Sequence, residues 1–229
     1  RPATTPSCTH ALRMHGTAMN RVKLRGAEHR FLRRYPGGFQ HPEIQAIGKK
    51  HRIAKLVASA QAGFEASAFS DENAVIASAV KLVGQSSMVS VFEKPAYRDY
   101  VRSLDEHGRR RFTQALKAQL HGDAAWGFAA MTELLAEAKL AKWPLLTAIP
   151  FYFRPDTEVF MKPTTVKGVI VAFELEGLRY SPTPSHAFYV TYRDRIMAMK
   201  KLLSSDLSPD NAAFCGFLMM SIENQDVGL

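Results

Sequence analysis

Lys162-Pro163-Thr164-Thr165-Val166-Lys167-Gly168-Val169-Ile170-Val171-Ala172 is the stretch on which an all-helical reading stands or falls. Val169-Ile170-Val171 is β-branched, and such a run fits a strand better than a helix. Pro163 argues the other way. Its missing N–H is one that a helix start leaves unpaired in any case, and its fixed φ suits the first turn. The same device recurs at Thr183-Pro184-Ser185 and Ser208-Pro209-Asp210, where Thr183 and Ser208 are also good N-caps. These three starts predict helices over about 163–175, 184–204 and 209–223.

Helix signals dominate the preceding residues as well. Asp123 follows Gly122 as an N-cap, and Trp126, Phe128, Met131, Leu134, Leu135 and Ala138 then form one apolar face, predicting a helix as far as Leu140. Ala96 to Leu104 and Asp105 to Leu120 read as two more helices. Ser70 reads as the N-cap of a short helix, Ala74 to Leu82, closed near Gly84, while residues 85–95 suit strand or helix. The most apolar segment, Trp143-Pro144-Leu145-Leu146-Thr147-Ala148-Ile149-Pro150-Phe151-Tyr152-Phe153, carries two prolines and reads as a loop. Near the start, Arg21 to Arg34 is helix-permissive, and Tyr35-Pro36-Gly37-Gly38 breaks it. His41-Pro42-Glu43 then restarts a helix in which Ile44, Ile47, His51, Ala54 and Val57 predict one continuous buried face. With no repeat and no long Gly/Ser linker, the expectation is a single all-α domain of about eight helices. It spans 21–229, carries basic helices at 21–60, and follows an irregular extension at 1–20.

Charge is the strongest functional signal. Residues 1–56 hold twelve Lys and Arg against two acids, Glu28 and Glu43, whereas the remaining 173 residues are almost balanced; the whole chain carries +9. A cationic segment on a near-neutral body favours polyanions, nucleic acid first and an anionic membrane or acidic protein second. The expected phosphate contacts are Arg30, Arg33, Arg34, Lys49, Lys50, Arg52 and Lys55, with Phe31, Tyr35 and Phe39 between them as stacking surfaces. DNA is expected over RNA. A helix–hairpin–helix loop also turns on Pro-Gly, but Gly37 and Gly38 are adjacent with no apolar residue between them, and no acid stands in 54–60. A base-excision enzyme is therefore not expected.

The alternative is an enzyme acting on an anionic substrate, with a polar pocket around Arg154, Asp156, Glu158 and Lys162 after an apolar run. A brace for the loop accounts for the same residues. No Glu-x-Lys follows Asp156 and Lys162 on a second strand, so a metal-dependent nuclease is not expected. The histidines show no ligand spacing, and no Gly-rich nucleotide loop or Gly-x-Ser-x-Gly elbow occurs, so neither a metal nor a cofactor is expected. A third possibility is an interaction subunit that self-associates through Ala187 to Leu203 and Ala212 to Ile222. The longest apolar run, 212–220, is too short for a membrane span. Two distant cysteines, Cys8 and Cys215, predict no disulfide and a reducing, cytoplasmic setting.

The pattern Pro150-Phe151 … Arg154-Pro155-Asp156 … Phe160 … Lys162-Pro163 … Lys167, together with Arg33-Arg34-Tyr35-Pro36-Gly37-Gly38-Phe39, resembles segments of an uncharacterised bacterial protein family of similar size. The resemblance implies a bacterial origin and a shared fold, and no known activity.

Overall fold

The structure, a computed structural model, describes residues 19–223. Its helices are α1 Arg21–Arg34, α2 Pro42–His51, α3 Ile53–Gly63, α4 Glu72–Gln85, α5 Glu93–Ser103 and α6 Glu106–His121. They continue with α7 Ala124–Ala136, α8 Trp143–Phe153, α9 Pro163–Ala172, α10 His186–Lys201 and α11 Asn211–Glu223. Short 3-10 turns at Gly38–Gln40, Ala66–Ser70 and Ser205–Leu207 join some of them, and no strand occurs among the described residues. The protein is thus all-α around one buried apolar cluster that draws on every α-helix except α2's outer turns. The first eighteen residues of the expected extension, with Cys8, lie outside the described residues.

Among the described residues eleven α-helices stand where eight or so are expected, for two reasons. The first is α8. Every residue from Trp143 to Tyr152 is buried, and α3, α4 and α7 pack against this helix. A helix that is apolar on all sides is stable only in such a position. Pro144 occupies its first turn, where a proline is harmless. Pro150 lies inside the helix and cannot donate to the carbonyl of Leu146. Gln119 Nε2 on α6 donates to that carbonyl instead, at 3.3 Å. Thr147 Oγ1 donates back to the Trp143 carbonyl (2.8 Å) and accepts from Met161 N (3.1 Å). The loop expected over 143–153 is therefore a helix whose proline defect is repaired from a neighbouring helix.

The second reason is a break at Arg52, which takes the left-handed conformation (φ 55, ψ 31) and divides α2 from α3. The single buried face expected from Ile44 to Val57 does not form. Ile44 is buried, Ile47 is 43% exposed, and α3 buries Leu56 and Ala60 instead. Gly48 and the repeated cations weaken the helix here, while packing against α4 and α8 sets the direction of α3.

Cap chemistry accounts for most other boundaries. Asp105 Oδ1 accepts from Gly108 N at 2.7 Å, and Asp123 Oδ1 accepts from Ala125 N and Trp126 N, both at 3.0 Å. Other caps lie one or two residues beyond those expected. Asp71 rather than Ser70 caps α4, Ser185 rather than Thr183 caps α10, and Asp210 rather than Ser208 bonds the first turn of α11. The side chains in each case reach the N–H three residues ahead, which Ser70, Thr183 and Ser208 do not. Trp126 stands outside the apolar face of α7 at 53% exposure. Residues 163–172 are helical after Pro163: Val166 and Val169 face the core, and Val171 faces solvent. No helix among the described residues is long and apolar enough to cross a membrane.

Candidate nucleic-acid interface

Helix α1 buries Leu24, Ala27, Glu28 and Phe31 and packs on α11. Arg30, Arg33 and Arg34 stand at three- and four-residue spacing on the outer side, so they form one exposed strip. Arg34 Nε donates to Tyr35 Oη at 3.0 Å, and its guanidinium lies 5.5 Å from the centre of that ring. Lys49 and Lys50 close α2, Arg52 forms the break, and Lys55 follows on α3; all four are exposed. None of these seven cations makes an ion pair among the described residues.

The two acids of the same region do little to offset them. Glu28 is buried, and its carboxylate accepts from Arg25 Nη1 at 2.8 Å and from Ser204 N at 2.7 Å. Glu43 sits in the first turn of α2, where it complements the helix dipole. One further cation is neutralised: Lys23 pairs with Glu174 at 2.6 Å. Lys23, then Asn20, holds the Glu174 carboxyl below its ordinary value. Arg1 and Arg13 lie outside the described residues.

The aromatic residues serve the core rather than a stacking platform. Phe31 is buried, stacks on Phe39 (centroids 5.7 Å apart) and meets Phe217 edge-on at 5.3 Å. Tyr35 is half-buried between Phe31 and His41. The expectation of base stacking by Phe31 is corrected for that reason, since its ring faces are already covered. Gly38 is spent in the same way. It is buried at φ +59, and a Cβ there would lie 2.9 Å from the Asp206 carbonyl carbon. Its close approach is to protein backbone rather than to a phosphate. Gly37, at φ +81, has open space around it. Gly38→Ala is therefore expected to cost at least about 3 kcal/mol, and Gly37→Ala about 1 kcal/mol from backbone strain alone. Urea denaturation of the two variants checks the order.

No side-chain hydrogen bond or ion pair joins Arg154, Asp156, Glu158 and Lys162 to one another among the described residues. Arg154 Nη2 donates to the Leu120 carbonyl, Asp156 is exposed, and Lys162 is the exposed N-cap of α9. Glu158 alone enters a buried network. Its carboxylate accepts from Tyr189 Oη at 2.6 Å and pairs with Arg193 at 3.5 Å, while its backbone carbonyl accepts from Asn211 Nδ2 at 2.9 Å. Burial and then Glu158 push the Tyr189 phenol well up, so it remains the donor. This arrangement ties the 154–160 segment to α10 and α11. Tyr189 and Arg193 were not singled out from the sequence, although their four-residue spacing on α10 was visible.

His186 lies beside this network. Burial first, then Arg193, lowers its pKa, with Asp123 and Glu158 opposing. The folded protein thus binds this proton less readily than the unfolded chain. The resulting stability is fully present above the ordinary value of 6.5 and is lost as pH falls below it. The urea midpoint is expected to fall between about pH 7.5 and about pH 5.5, and less so in His186→Gln.

The apolar residues of α10 and α11 expected to drive self-association, including Ile196, Phe214, Phe217 and Leu218, are buried in the protomer's own core. Cys215 is free, and burial pushes its thiol up to about 12. No family model matches the chain, and no curated protein or solved structure matches it.

Proposed function

We propose that the protein binds nucleic acid, DNA over RNA, through the phosphate backbone. The contacts are Arg30, Arg33 and Arg34 on α1, Lys49 and Lys50 on α2, then Arg52 and Lys55. The observation that carries this reading is that all seven are exposed and without ion-pair partners among the described residues. A cation already held by a carboxylate gains little from a phosphate. A free one exchanges solvent contacts for charge-assisted hydrogen bonds and releases counterions from the polymer.

Helix α2, which carries Lys49 and Lys50 in its last turn, has ten residues and so is about 15 Å long. Phosphates along one DNA strand advance about 3.4 Å per step, so an element of that length can lie beside several of them. DNA is favoured because the wide major groove of B-form DNA admits a helix, whereas that of A-form RNA is deep and narrow. Cytoplasmic residence belongs to the same reading, supported by the free thiol of Cys215. Fluorescence anisotropy with a labelled DNA duplex and an RNA duplex of equal length tests it. Binding at low salt with DNA the tighter ligand is expected; binding to neither refutes the proposal.

A further inference from the structure

The near-neutral body of the protein carries a second concentration of positive charge, on the flank of α4 away from α3. A groove of about 410 Å³ runs there between α4 and the α5–α6 junction. Its floor is apolar, formed by Ile76 and Val80, and its polar lining is Asn73, Lys81, Arg102 and Arg109, with no acidic residue. Ser78, which meets Gly63 of α3, lies on the opposite side of the same helix.

The cations are prepared for an anion in two ways. Arg109 is held in place: Nε donates to the Leu104 carbonyl at 2.9 Å and Nη1 to Asn73 Oδ1 at 3.1 Å. The second bond also orients Asn73, whose amide N–H groups have no partner among the described residues. Lys81 and Arg102 are exposed, and neither makes a hydrogen bond or ion pair among the described residues. Neighbouring acids are engaged elsewhere. Arg98 holds Asp99 at 2.8 Å, with Arg102 adding a weaker attraction, and Arg110 holds Glu106 at 2.8 Å and Glu72 at 3.9 Å.

We propose that this groove binds a small phosphate monoester. Its dianionic head would sit among Lys81, Arg102 and Arg109, and its apolar body would lie on Ile76 and Val80. Three cations and an amide offer more donors than the two oxygens of a carboxylate can use, whereas a phosphate presents three acceptor oxygens and a charge near −2. The volume suits a ligand larger than free phosphate. This site is independent of the nucleic-acid surface on α1–α3.

Isothermal titration with phenyl phosphate, inorganic phosphate and benzoate tests the assignment. Phenyl phosphate is expected to bind most tightly. Lys81→Ala and Arg102→Ala, both at exposed positions, should each weaken it about tenfold, as expected for loss of one charge-assisted contact. Arg30→Ala/Arg33→Ala/Arg34→Ala should leave it unchanged. Absence of binding at millimolar phenyl phosphate overturns the proposal. So does wild-type affinity in both groove variants, or equal loss in the α1 variant, which would show only diffuse attraction to a basic protein.

Discussion

Gly127→Ala is expected to destabilise the protein by at least about 3 kcal/mol, or to prevent folding, because the added methyl group meets backbone. A Cβ at Gly127 would lie 2.6 Å from the Ala115 carbonyl oxygen and 2.8 Å from Gln119 Cα. Neither atom can move without shifting α6. The α6–α7 pair is the most extensive helix contact among the described residues, and separating it opens the core in which Phe112 and Leu116 of α6 and Phe128 and Met131 of α7 are buried. The same shift pulls Gln119 from the Leu146 carbonyl, which Pro150 has left without a backbone donor. The added methyl thus opens a core contact and unpairs a buried carbonyl.

Gly168 provides the control. A Cβ there would approach Ile222 Cδ1 at 2.5 Å, but that atom ends a side chain able to turn aside. The higher helix propensity of alanine, worth about 1 kcal/mol, offsets much of the crowding. Gly168→Ala is therefore expected to lie within about 1 kcal/mol of wild type. Urea midpoints of the two variants, at constant m-value, make the comparison. Equal, small effects would show that α6 and α7 are not so closely apposed.

Replacing Arg30, Arg33, Arg34, Lys49, Lys50 and Arg52 together with alanine is expected to lower DNA affinity about 10³-fold or more at low salt, since each phosphate contact removed leaves its counterions condensed on the DNA. All six are exposed and without ion pairs among the described residues, so the variant should keep its helical circular dichroism and melt close to wild type. Lys23→Ala is the matched control. Lys23 is already held by Glu174, so its removal should leave DNA affinity nearly unchanged. A six-site variant that binds as well as wild type would place the interface elsewhere.

What the sequence reveals and conceals divides along local and tertiary lines. The starts of α6, α7 and α9 were readable, because Asp105, Asp123 and Pro163 act on N–H groups within their own first turn. Helix α8 was not, because the donor that repairs Pro150 comes from Gln119, 27 residues before the carbonyl it serves. The break at Arg52 was hidden for a similar reason: the apolar spacing from Ile44 to Val57 satisfies a single helix, and only the packing of α3 on α4 and α8 rejects it.

The candidate sites divide in the same way. Exposure of Arg30 and Arg33 follows from their spacing away from Leu24, Ala27 and Phe31 on one helix, and Arg34 is exposed as its last residue. Glu158 and Arg154, four residues apart, go to α10 and to the Leu120 carbonyl respectively, and no spacing rule foretells partners that distant. The burial of Phe31 against Phe217 was equally beyond local pattern, since α11 reaches it from the far end of the chain.

Whether the α1–α3 cations displace counterions from a nucleic acid is tested most directly by titrating salt against affinity for a DNA duplex. Six phosphate contacts predict that log K falls with log salt at a slope of about −5. A slope near zero, with binding still present, would contradict it.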